Sequence, residues 1–289
     1  MLKIRHAALA GAAAIAVVTA IAPGAQAALL PFTFNPQFLG CLTCSNAVVA
    51  DEYNLSSSEL ITQNVGSQSG TGYAQVTTVK FNSNTLNTTT TGVSTPNNPP
   101  IPSPPNTYGL YIKFTDTSTA SSFTSPGTLT SFNFQLFADV GNNDTFTPAN
   151  AAAGTGPTVT NDAGDLLLAT GSLVSGDAGF NSNGGPVFAL TSTFNLTATG
   201  ALYYTAPVPF YTFEFTSATG AQPGNVTLGP AGCNPITFVG CTVAALTTTL
   251  DSSFLSVPVP EPTSLALLGG GLLGFAVIRR RYRKGQVAS

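Results

Sequence analysis

Tyr108-Gly109-Leu110-Tyr111-Ile112-Lys113-Phe114 sets a large apolar side chain at every second position. Phe132, Phe134, Leu136 and Ala138 repeat the pattern, with Asn133 and Gln135 between them. Successive side chains of a strand point to opposite faces, so a period of two marks a strand with one buried face. Phe194-Asn195-Leu196-Thr197 and Tyr211-Thr212-Phe213-Glu214-Phe215-Thr216 read the same way. Working outward, Gly72–Phe81, Asp165–Leu173, Pro186–Leu190 and Ile236–Leu250 are further candidate strands. Gly, Asn, Pro and Ser between them are turn formers. The body has no helical period. The expected fold class is all-β, an antiparallel β-sandwich over residues 28–256. Pro96, Pro99, Pro100, Pro102, Pro104 and Pro105 interrupt it. A run of prolines favours extended polyproline geometry and cannot join a central sheet. Residues 95–106 are expected as a surface loop within one sandwich, the alternative being a boundary between two small β domains.

The segments flanking the body differ from it. Residues 1–27 read as a secretory signal peptide and signal helix: Lys3, Arg5 and His6, then an uncharged run from Ala7 to Ile21, then Ala25-Gln26-Ala27 before the cleavage point at Ala28. Export by the Sec machinery follows. His6 is the single His of the chain, so cleavage leaves a protein with none. Ser-His-Asp and Cys-His catalysis and His-ligated metals are thereby excluded. Charged residues make up 7% of the 289, against ~25% in an ordinary domain. Seven of the nine Lys and Arg lie in the two end segments, leaving Lys80 and Lys113 against eleven acids over residues 28–256, a formal charge of −9. Nucleic acid is excluded as a partner, because such a body cannot displace counterions from phosphates.

At the other end stands VPVPEPTSLALLGGGLLGFAVIRRRYRKGQVAS from Val257. Leu265 to Ile278 is uncharged, and Arg279, Arg280, Arg281, Arg283 and Lys284 follow. An apolar helix with a basic flank is a stop-transfer element, here a short transmembrane helix with its cations held inside. Pro260-Glu261-Pro262, the Leu/Gly-rich run and the Arg cluster together resemble the PEP-CTERM sorting signal of Gram-negative bacteria, over residues 257–284 with 285–289 as a tail. The resemblance implies transient holding in the inner membrane and processing near Pro260, Glu261 and Pro262 by an exosortase-type enzyme. It also implies delivery to the cell surface or matrix of a cell that makes exopolysaccharide. The alternative is a permanent single-span anchor.

Cys41/Cys44 and Cys233/Cys241 form two close pairs. In an exported chain they are expected as disulfides, paired either locally or across the body. The alternative is a four-thiolate zinc site, for which the second pair is spaced too widely. Asp139-Val-Gly-Asn142-Asn143-Asp144 and Asn161-Asp162-Ala-Gly-Asp165 are oxygen-rich. Asp139, Asn142 and Asp144 are the calcium candidates. Neither stretch matches the D-x-[DN]-x-[DN]-G loop, and such clusters are mostly plain turns. No other cofactor is expected.

The body itself is similar to the flocculation-associated PEP-CTERM family in YGLYIKFT at 108–115, FQLFADVGNNDTF at 134–146, DLLLATGSLVSGDAGF at 165–180 and FALTSTFNLTATGALYY at 188–204. That resemblance implies a non-enzymatic matrix protein that aggregates cells with their exopolysaccharide, and it brings no catalytic residues. Thr, Ser and Asn side chains suit hydrogen bonding to sugar hydroxyls, exposed Tyr could stack on sugar faces, and divalent cations could bridge acidic polymer to acidic protein. Two other readings stand beside it. One is an exported polysaccharide hydrolase using two carboxylates from Asp116, Asp139, Asp144, Asp177 and Glu214. The other is an S-layer or appendage subunit.

Overall fold

The computed structural model describes residues 29–95, 106–119, 126–180, 186–207, 212–217, 226–229 and 241–255. Its long strands are β1 (Glu52–Asn64), β2 (Ser67–Phe81), β3 (Gly109–Ser118), β4 (Pro126–Asp139), β5 (Leu166–Phe180), β6 (Pro186–Ser192), β7 (Thr212–Ser217) and β8 (Thr242–Leu255). Each pairs antiparallel with its successor along the chain. The last pairs with the first, through Val243 with Ile61 and Ser252 with Tyr53. The sheet therefore closes on itself as an eight-stranded up-and-down barrel.

This corrects the expected sandwich. Alternation establishes that each strand has one buried face, and that holds equally for two facing sheets and for one rolled sheet. What decides is the pairing of β8 with β1, a contact between the ends of the sheet that no local pattern encodes. β1 also escaped the sequence reading, because its inward positions include Glu59 and Gln63 and so break the apolar period. Register shifts at Asn54/Leu55, Thr117/Ser118, Leu167/Ala169 and Thr247/Leu250 supply bulges that bend strands toward closure.

The inward faces fill the barrel. Leu110, Ile112 and Phe114 of β3 meet Phe132, Phe134 and Leu136 of β4, and Phe213 and Phe215 of β7. Phe134 and Phe215 pack edge to face with centroids 5.6 Å apart, a preferred aromatic geometry. Small residues make room for these rings. A Cβ on Gly171 would lie 2.0 Å from the Phe134 ring and 2.2 Å from the Thr193 carbonyl oxygen. One end is covered by a small sheet of Phe32–Phe34, Val48–Ala50 and Tyr204–Ala206. Phe32 packs there against Tyr53 and Phe254, at 4.9 Å from each. Tyr53 shares a hydroxyl hydrogen bond with Tyr204 at 3.1 Å, and Tyr108 with Tyr203 at 2.8 Å, so these buried rings keep their polar atoms partnered.

Cys41 and Cys44 form a disulfide beside this cap, and Cys241 is disulfide-bonded as well. Pairing of Cys41 with Cys44 closes a local loop instead of stapling the ends of the body, and it removes the thiolates a four-cysteine zinc site would need. Cys233 lies outside the described residues, as do the signal segment with Ala25, Ala27 and Ala28, most of the Pro-rich stretch, and the tail with Pro260, Glu261, Pro262, Arg279, Arg280 and Arg281. The strands on either side of the Pro-rich stretch are neighbours, with Gln75 of β2 opposite Tyr111 of β3. Among the described residues no helix is long and apolar enough to cross a membrane.

Candidate functional site

The connection between β4 and β5, residues 140–165, crosses the outer wall of the barrel as a strap. Within it Thr145–Thr147 and Thr158–Thr160 pair as a hairpin. Phe146 packs on the outward rings of Tyr73 and Tyr111, at 5.1 and 5.2 Å. Further on, Ala149 donates its amide to Ser58 on β1 at 2.9 Å, and the Ala151 carbonyl accepts from Thr242 on β8 at 3.0 Å. The strap thus spans much of one side of the barrel.

Its two ends meet. β4 ends at Asp139 and β5 begins at Leu166, with Leu166 opposite Ala138. The two oxygen-rich stretches therefore converge. One carboxylate oxygen each from Asp139, Asp144 and Asp165 lies within 4.8 Å of the others. Asp139 and Asp144 are fully buried. Asp139 accepts backbone N–H bonds from Asn143 at 3.1 Å and Asp144 at 3.0 Å. This tight turn uses Asn142 at positive φ, 46°, a conformation Asn tolerates. Asp165 accepts from the Tyr111 hydroxyl, and the neighbouring Asp162 pairs with Lys113. Neither oxygen of Asp144 has a hydrogen-bond partner, and Asn142 Oδ1 is likewise buried and unpartnered. Burial first, and then the Asp165 and Asp139 carboxylates, push Asp144 up to about 7. Burial also raises Asp165. Carboxylate oxygens converging in this way are the donor set of a hard cation. Of the sequence candidates, Asp139 and Asp144 come together with Asn142 between them. Asp165 belongs to the same cluster, although it stands in the second oxygen-rich stretch of the sequence. Antiparallel pairing of consecutive strands was the signal that could have joined them.

Beside the strap an open groove of about 710 Å³ runs over β2, β3, β4 and β5. Thr115, Asn133, Gln135, Thr170, Ser172 and Asn195 line it, and Pro157, Thr158 and Val159 of the strap form its rim. Its volume falls within the ~300–1,000 Å³ of ligand clefts. These groups are neutral donors and acceptors. Lys113 also borders the groove, but its ammonium is held by Asp162. Lys80 is held by Glu52 at 2.6 Å. Both lysines of the body are thus ion-paired.

Exposed tyrosines for sugar stacking are not found among the described residues. Tyr53, Tyr73, Tyr108, Tyr111, Tyr203 and Tyr204 are all buried. They serve the barrel interior, its cap and the bed of the strap. Of the acids considered for hydrolysis, Asp139 and Asp144 lie together in the buried cluster, and the other three stand apart from it. Asp177 is exposed near the far end of β5, opposite Thr128 of β4, and Glu214 is half-buried on β7. Asp116 points into the barrel, where Glu59 faces it in a cavity of about 30 Å³, room for about one water. Glu59 had no sequence signal. Gly70 makes space for the pair: a Cβ there would stand 1.9 Å from Glu59 Oε1 and 2.4 Å from Asp116 Oδ2. Burial first, then the Asp116 charge, raise Glu59 well above the usual carboxylate range, and burial raises Asp116.

Residues 258–281 match the PEP-CTERM protein-sorting motif. No curated protein and no solved structure matches the chain. The motif marks an exported, surface-directed protein that crosses the membrane and is sorted by an exosortase-type system.

Proposed function

We propose that this exosortase-sorted barrel is a non-enzymatic component of the extracellular matrix, held among exopolysaccharide chains and promoting cell aggregation in flocs or biofilm. The observation that carries the proposal is the sorting motif at 258–281, an address for the cell surface. The body supplies a contact mode. Its outer groove presents hydroxyl and amide groups, which pair with sugar hydroxyls without a charge on either side. Both body lysines are engaged and the body carries a formal −9, so attraction to an acidic polymer through Lys or Arg is weak. Many modest contacts, multiplied over many copies, suit a matrix better than one tight site.

Among the described residues, no arrangement of acids favours hydrolysis. The Glu59–Asp116 pair is walled into a water-sized cavity, and Asp144 is wholly buried. A glycosidase needs two carboxyls flanking an accessible bond.

The test is cosedimentation of the purified exported protein with the producing cell's polysaccharide. Binding should persist from low to high salt, since neutral contacts are little screened. The double change Asn133→Ala/Gln135→Ala should weaken it roughly tenfold, at ~0.5–1.5 kcal/mol for each lost hydrogen bond. Release of reducing ends from the polymer, or binding that vanishes in salt, would overturn the proposal.

A further inference from the structure

We infer that Asp139, Asp144 and Asp165, with the Asn142 side-chain oxygen, form a binding site for a calcium-like divalent cation that ties the two ends of the strap together.

Asp144 is an unsatisfied buried group. A fully buried carboxylate is costly unless it is paired, hydrogen-bonded or bound to a metal. Asp144 is 0% exposed and neither of its oxygens has a hydrogen-bond partner. Among the described residues no Lys or Arg reaches it: Lys113 and Lys80 are held by Asp162 and Glu52. The second support is geometric. One oxygen from each of three carboxylates lies within 4.8 Å of the others. Opposite ligands about calcium stand ~4.6–5.2 Å apart, twice the ~2.3–2.6 Å bond, so one ion can touch all three. The third is ligand chemistry. Carboxylates and an amide oxygen on a turn are hard donors, with no His and no thiolate among them. That favours calcium over zinc or copper. Magnesium demands a stricter octahedron and keeps its waters, which a fully buried Asp144 does not readily accommodate.

The ion would do structural work. Asp139 and Asp144 lie where the strap leaves β4, and Asp165 where it returns to β5. Closing the ends through one ion fixes the loop whose Pro157–Val159 segment is the groove's rim. The site stands whether or not the groove takes a glycan.

Terbium and calcium titrations of the exported protein, purified from its cells and stripped with chelator, test this. Tyr111 donates its hydroxyl to Asp165, so terbium in the site should luminesce when tyrosine is excited, and calcium should quench that signal by displacement. Tyr111→Phe should remove most of the luminescence while calcium still raises Tm. Asp144→Asn should weaken calcium binding at least tenfold and erase the calcium-dependent rise in Tm. Without calcium this variant should melt no lower than the wild type, because an unpaired buried carboxylate is gone. Asp165→Asn is the second variant, with the same expected loss. No calcium-dependent rise in the wild type, an undiminished rise in both Asp variants, or magnesium competing as well as calcium would each overturn the assignment.

Discussion

At the residue scale, Glu59 and Asp116 are the acids whose environment has the clearest consequence for stability. Both have raised pKa values in the folded barrel, so the folded state holds protons that the unfolded chain releases. Their stabilising contribution is then fully present below the unfolded values near 4 and is lost as pH rises through the folded values. Ser57, Gln68 and Ser118 are the other polar side chains lining this cavity, and no lysine or arginine among the described residues compensates the pair. Thermal melting should therefore show Tm falling from mildly acid to neutral pH, and Glu59→Gln should flatten that fall. A variant whose pH profile overlays the wild type would show that the pair is not responsible. Asp116 was legible only as one acid among several. Its partner was not, because the two are brought together across β1, β2 and β3, and the deciding residue is Gly70, which offers space but carries no chemistry of its own.

At the scale of elements, the interior rings depend on missing side chains opposite them. Gly171 on β5 lies opposite Phe134 on β4, with no room for a methyl group. Gly171→Ala should lower stability by roughly 1–3 kcal/mol, as overpacking does, measured by urea unfolding. An unchanged midpoint would mean that the rings can move aside. The strands that carry this packing were legible wherever apolar residues recur at every second position, as in 110–114 and 132–138. β1 was obscured by inward polar residues, and the short pairing at Asn195–Leu196 is less than the alternation around Phe194 suggested. The strap defeated local reading for another reason. Its two acidic stretches look like separate turns, and only the antiparallel pairing of β4 with β5 makes them neighbours.

At the scale of the molecule, closure joins the start of the described body to its end: β8 pairs with β1, and Leu29–Leu30 pairs with Phe254 and Leu255. No strand period encodes a contact of that sequence separation, which is why a sandwich and a barrel read alike from the chain. The address was the reverse case. It is a short contiguous motif, legible at Pro260-Glu261-Pro262 and the Arg cluster with no structure at all. Export and sorting say where the barrel goes, and the proposed matrix role rests on that address together with the neutral groove and the ion-paired lysines. The most direct measurement is floc formation by cells that lack this chain but still make their polysaccharide. Aggregation should be lost, restored by the wild-type chain, and restored poorly by Asn133→Ala/Gln135→Ala. Flocs that form as well without the chain as with it would contradict the matrix role.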